Sequence, residues 1–399
     1  MITGTSRVIL HQLRTRPTGD SVIVGRLETG EVVELPPSGA RVIEHLGRGL
    51  TVAETARLIA AETGEDVDVA SFVTALTQFG FVARVDGSEV PGPIPRRPAL
   101  PWITPRRAAW SLNPLLPWAV AALAGTAAVT MTVDPSLAPG YQSLFWSPYG
   151  SLVLLAVFGV GWPLVFLHEL AHLVTARATG VPAYLELGTR LQFLVAQTDM
   201  SGIELAPRRH RLTAYLSGMA VNLIAACLAI LTAATFEQAS PWRLALQALA
   251  LLALLPLAWQ FLINMRTDLY YVLQDLTGSA DLYADGLSYT RHLTHRVLHP
   301  RQDPPPTDPT LDLPPGQRRA ARLYSAVLMT GTTLCLAALI FITAPADLTL
   351  LIHAVRQLGP DHGTLERLDG ATVVLLLGGS QALWARTKWR QWRRRTTRT

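Results

Sequence analysis

Six long apolar stretches limit what this chain can become. They fall near residues 115–133, 150–179, 212–235, 243–264, 322–344 and 369–386. About 20 helical residues, rising roughly 1.5 Å each, cross the hydrocarbon core of a bilayer. Five of the six reach that length, and the last (Ala371 to Ala385, counted strictly) is shorter. None carries the charged face that a surface helix of a soluble domain turns to water. Composition agrees, because only 16% of the 399 residues are charged, where soluble domains carry about a quarter. Two cysteines, Cys227 and Cys335, both inside apolar stretches, exclude a disulfide framework and read as small buried hydrophobes. The predicted fold class is mainly α: a polytopic membrane helix bundle of about six spans, with a small N-terminal α/β domain.

Charge sets the expected orientation, since Lys and Arg are retained on the cytoplasmic side of a membrane. Arg96, Arg97, Arg106 and Arg107 precede the first span, and the next loop, 134–149, has neither Lys nor Arg. Arg190, Arg208 and Arg209 follow, and then the 236–242 loop is again free of both. Arg266, Arg291, Arg296, Arg301, Arg318 and Arg319 fill the next gap, whereas the fifth holds only Arg356 and Arg367. The tail carries Arg386, Lys388, Arg390, Arg393, Arg394, Arg395 and Arg398 beside Trp389 and Trp392, as expected of an inner-leaflet anchor. This alternation predicts a multi-pass cell-membrane protein with both termini cytoplasmic. Met1 to Asp20 contain no apolar core of signal-peptide type, so the first ninety residues are expected to remain in the cytosol.

Two proline-rich stretches, Pro91 to Pro105 and Pro304 to Pro315, mark boundaries. The expected partition is an N-terminal domain (1–88), a linker (89–110), a membrane core (111–300), a cytosolic loop (301–321), C-terminal spans (322–387) and a basic tail (388–399). In the first domain, Val22 to Arg26 and Glu31 to Leu35 read as strands of a hairpin turning at Thr29-Gly30. A helix is expected over Gly39 to Leu46. Thr51-Val52-Ala53-Glu54 is a capping box that opens a second, and a third runs from Val69 to Phe79, stops at Gly80 and returns as a strand. Strands with three short helices suggest a winged helix. The third helix and its approach carry Glu65, Asp66 and Asp68 and no Lys or Arg, which argues against nucleic acid.

The chemistry concentrates in His168-Glu169-Leu170-Ala171-His172. On a helix, residues four apart share a face, so both imidazoles reach one zinc ion, and Glu169 lies beside them as a base toward water. Ionisable groups this deep in an apolar span are costly unless coordinated or paired. Zinc in a hydrolase takes three protein ligands as a rule. Asp268, expected at the end of the fourth span, falls on the same side of the membrane as both histidines and is the candidate third ligand. His292, His295 and His299 lie on an Arg-rich cytosolic segment and read as solvated.

Two resemblances add to this reading. His168-Glu169-Leu170-Ala171-His172 with Ala176 and Gly180, Ser217-Gly218-Met219-Ala220-Val221-Asn222, and Asp268 together resemble the motifs of the site-2 protease family of intramembrane zinc metallopeptidases. The chain departs from that family's pattern at Met219, where Pro is usual, and at Leu269, where Gly is usual. The resemblance covers roughly 150–285 and implies a three-span core with one Zn2+ per chain on His168, His172 and Asp268. It also implies Glu169 as the base and Asn222 as a holder of the substrate strand or polariser of its carbonyl. The stretch from Leu35-Pro36-Pro37-Ser38-Gly39-Ala40 to Phe79-Gly80-Phe81-Val82 is similar to the PqqD-like leader-peptide-recognition domain of ribosomal-peptide maturation systems. That likeness implies capture of an extended leader by strand addition, on a surface built from Glu31, Val33, Phe72 and Leu76.

The two together imply a membrane endopeptidase that removes the leader from a modified ribosomal peptide at the cytoplasmic side. Its expected partners are the leader-bearing precursor, the lipid bilayer and other peptide-maturation enzymes. The competing expectations are a regulatory protease cutting membrane-spanning substrates, and a non-proteolytic exporter or immunity protein.

Overall fold

Alternating apolar residues build the N-terminal sheet first. β1 (Val8–Leu10), β2 (Arg14–Thr18), β3 (Ser21–Arg26) and β4 (Glu31–Leu35) precede α1 (Pro37–Gly47), α2 (Val52–Thr63) and α3 (Val69–Gln78), after which β5 (Val82–Val85) and β6 (Ser88–Glu89) close the fold. This computed structural model describes residues 2–19, 21–145, 147, 149–190, 193–299 and 307–396. Arg301 and Pro304 to Pro306 of the expected cytosolic loop, and Arg398 of the tail, lie outside the described residues.

The expected hairpin forms, with Val24 opposite Val33 and Arg26 opposite Glu31. Its connection is the four-residue loop from Leu27 to Gly30 rather than a tight two-residue turn, and the Thr29 and Gly30 amides both donate to the Arg26 carbonyl. Gly30 sits at φ +74, and a Cβ there would stand 2.8 Å from that of Ser201, so the position requires glycine twice over. β2 joins the hairpin in the order β2-β3-β4, and a second sheet runs β1-β5-β6. The sequence does not announce β2, whose Arg-Thr-Arg-Pro-Thr shows no apolar alternation; Pro17 is tolerated because β2 is an edge strand.

Thr51 forms the expected capping box with Glu54, and Asp68 caps α3 by accepting from the Ser71 amide at 3.0 Å. The three helices bury Val42, Leu46, Ile59, Val69, Val73 and Leu76 against Val8, Val24, Phe81 and Val82. At about 1.5–3 kcal/mol for each fully buried large side chain, this core is what holds the small domain together. Arg26, buried within it, is satisfied by the Gly80 carbonyl (2.9 Å) and by Glu28 (3.0 Å).

The composition of the proline-rich linker predicts a semi-rigid spacer. It is instead pinned along its length. A Cβ on Gly80 would overlap Pro93. The Ala99 amide donates to the Ala183 carbonyl at 3.0 Å, and Arg177 Nε donates to the Ile103 carbonyl at 3.0 Å. Near its end the linker forms one helical turn, α4 (Pro105–Ala108), and the long helices follow. By contacts the chain forms two compact units, the first made of Met1–Asn113, His172–Leu185 and Thr198–Thr213, the second of Pro114–Ala171, Glu186–Gln197 and Ala214–Thr399.

Among the described residues, six helices are long and apolar enough to cross a membrane. They are α5 (Leu116–Val133), α6 (Gly150–Ala178), α7 (Arg208–Ala233), α8 (Pro241–Trp259), the continuous run Pro315–Gln357, and α13 (Thr364–Thr396) over its first 27 residues. Between α6 and α7 lies a hairpin, β7 (Tyr184–Arg190) with β8 (Phe193–Asp199), and between α8 and the fifth span lie α9 (Asp268–Thr277) and α10 (Leu282–Leu298). α6 runs through Pro163 without a break.

The fifth span is longer than its apolar core of 322–344 suggests. It comprises α11 (Pro315–Ala338), a π-helical turn over Leu339–Thr343 and α12 (Ala344–Gln357). Pro345 lacks an amide hydrogen, and the wide turn before it absorbs that missing bond. At roughly 1.5 Å per residue the 43 residues measure about 65 Å, some twice the hydrocarbon core.

Two ties hold the second unit at span ends. Arg243, at the start of α8, pairs with Asp134, just after α5, at 2.6 Å. Asp369 of α13 accepts from the Ser151 amide in the first turn of α6 at 2.8 Å, so a carboxylate meets the positive end of that helix.

Candidate metal centre

α6 carries His168, Glu169 and His172 on one continuous helix, and all three are buried, at 7%, 9% and 3% exposure. The spacing of four puts both imidazoles on one face. The third member arrives from α9. His168 Nε2 stands 3.0 Å from Asp268 Oδ2, and ligand atoms of His168, His172 and Asp268 all lie within 4.8 Å of one another. Ligand atoms around a tetrahedral zinc ion sit about 3.3 Å apart, given bonds of roughly 2.0–2.2 Å. The three donors therefore fit one divalent ion with only small side-chain adjustments. Two imidazoles and a carboxylate suit zinc and neighbouring transition metals alike, and three protein ligands leave a coordination position open. Among the described residues no other group of three His, Cys, Asp or Glu converges in this way.

Asp268 is not at the end of the fourth span, where the sequence placed it. α8 stops at Trp259, a short 3-10 turn covers Ile263–Met265, and Asp268 opens the separate helix α9. Arg266 adopts φ +57, reversing the chain, and its guanidinium lies over the rings of Tyr270 (5.7 Å) and Tyr283 (5.3 Å). These aromatic faces hold the Arg266 charge by cation–π attraction. The Thr267 hydroxyl donates to the Gln260 carbonyl at 2.6 Å, and the Asp268 amide donates to Gln260 Oε1 at 2.9 Å. Gln260 had no motif to announce it.

Asn222 lies on α7 at 1% exposure, and its Oδ1 accepts no hydrogen bond among the described residues. Leu164, Ala226 and Ala253 form one buried cluster. His168 is one turn beyond Leu164 on α6, and Asn222 one turn before Ala226 on α7.

In the N-terminal domain, β4 is an edge strand with Glu31 and Glu34 exposed and Val33 half-buried. Phe72 packs 3.4 Å from where a Gly39 Cβ would be. Leu76, by contrast, is 2% exposed and belongs to the core. Leu35, the last residue of β4, and Phe72 of α3 both approach the Gly39 position at 3.4 Å, while the Leu76 side chain is buried in the core. His292 and His295 lie on α10 and His299 just follows it; His292 stacks on Tyr289 and His295 on His299. Comparison with protein-family models, curated proteins and solved structures returns no match for this chain.

Proposed function

We propose that this chain is a membrane zinc endopeptidase that removes the leader from a ribosomally synthesised, post-translationally modified peptide at the cytoplasmic side of the membrane. The observation that carries the reading is the convergence of His168, His172 and Asp268 beside a buried Glu169 in an apolar helix. Ionisable groups are kept at such depth for function far more often than for stability.

When bound, a zinc ion supplies Lewis acidity, making water a nucleophile at neutral pH and polarising a carbonyl. His168, His172 and Asp268 would hold the ion. A Glu169 carboxylate oxygen takes the proton of the attacking water and passes it to the departing amine nitrogen, which becomes the new N-terminus. The buried Asn222 amide would donate to the substrate backbone. The exposed edge of β4 offers main-chain donors and acceptors to an extended leader, with Val33 and Phe72 beside it as apolar contacts.

Glu169→Gln provides the test. The variant keeps both histidines and Asp268, so its zinc content should equal that of the wild type. Cleavage of a co-expressed leader-bearing precursor from the neighbouring genes, read by mass spectrometry, should fall by about 10²–10⁴-fold, the usual contribution of a general base. Wild-type cleavage by this variant would exclude Glu169 as the base. Peptide binding with no zinc in the wild-type protein would instead favour an exporter or immunity protein.

A further inference from the structure

An aspartate at the first position of a helix ordinarily spends its carboxylate on the unsatisfied amides of its own first turn. Asp268 does not. Thr267, the residue before α9, makes no side-chain cap to that helix, and its hydroxyl donates backwards to the Gln260 carbonyl at 2.6 Å. The Asp268 amide is satisfied by Gln260 Oε1 at 2.9 Å. One residue, eight positions upstream and at the end of α8, thus closes the 260–268 loop with its main chain and caps the next helix with its side chain. The residue whose amide Gln260 holds is thus the one whose carboxylate meets His168.

We propose that Gln260 is a positioning residue for the metal, acting through Asp268. Its amide oxygen holds the α9 N-terminus where the Asp268 carboxylate meets His168 and His172. The inference rests on the metalloprotease reading above, and adds to it a residue that touches neither metal nor substrate. Partners that orient a ligand typically contribute 10–100-fold to metal affinity.

The test uses the full-length chain in detergent, with zinc and cobalt as probes. Gln260→Leu keeps the bulk of the side chain and removes the acceptor. Its zinc dissociation constant, from chelator competition, should rise about 10–100-fold, and the visible spectrum of the cobalt-loaded protein should change. The melting temperature of the metal-free protein should stay at the wild-type value, which separates positioning from folding. Gln260→Glu, which keeps an acceptor oxygen, should restore most of the affinity. If Gln260→Leu does not fold, Thr267→Val decides: a loss of affinity in the same direction supports the proposal, and none overturns it. Wild-type affinity and spectrum in Gln260→Leu, or equal loss in Gln260→Glu, would overturn it while leaving the zinc reading of a metal-loaded wild type intact. A wild-type protein that binds no zinc would sink both.

Discussion

At the scale of single residues, what decides legibility is distance along the chain. His168 and His172 sit four apart, and helical geometry alone brings them together, so the sequence reveals the pair without a fold. Asp268 requires topology. It was reachable because the two arginine-free loops predict which ends of the spans share a side. Gln260 required the irregular turn between α8 and α9, which no periodicity marks.

Glu204, outside the spans, shows a second kind of hidden residue. Burial pushes its carboxyl above the usual Glu range, more than the Gly202 amide and Arg211 pull it down. A carboxyl that binds its proton more tightly folded than unfolded contributes stability that is complete below the unfolded value, about 4.3, and lost as pH rises through the folded one. Glu204→Gln should therefore melt higher than wild type at pH 7, with the difference vanishing near pH 4. A pH-independent difference would contradict this assignment.

At the scale of elements, the N-terminal hairpin, its three helices and the capping box were legible because each carries its own local signal. The β7–β8 hairpin and the β2 edge strand were not, since charges and Pro17 obscure their alternation. α11 shows why packing matters as much as hydropathy. It clamps the connection that delivers Asp268: Tyr324 donates to the Ile263 carbonyl at 3.1 Å, and Gly331 lies so close to Asn264 that a Cβ would come within 2.6 Å of it. Gly331→Ala should overpack this contact and cost about 1–3 kcal/mol, read as a lower melting temperature in detergent. An unchanged melting temperature would show that α11 yields without strain.

At the scale of the whole molecule, two contacts at span ends bear on the expected alternation. Arg243 lies on the side expected to face outward, an apparent exception to the positive-inside pattern. It is 5% exposed and paired to Asp134, whose carboxyl is held below the usual range by Ser136 and by Arg243 itself. Thus Arg243 is neutralised where it stands. Likewise Asp369 meets the first turn of α6, which requires α6 and α13 to start on one side, as six alternating spans demand. For orientation, cysteines introduced one at a time at Ala138 and Ala239 should react with an impermeant maleimide on intact cells. One at Asp66 should react only after permeabilisation. The reverse pattern would invert the topology and move the metal centre to the outer leaflet.

The most direct measurement is the zinc content of the purified, dialysed chain beside its Asp268→Ala variant. About one zinc per wild-type chain, lost in Asp268→Ala while the helical circular-dichroism signal persists, is the expected result for a three-ligand site. A metal-free wild type, or full zinc retention without the Asp268 carboxylate, would contradict it.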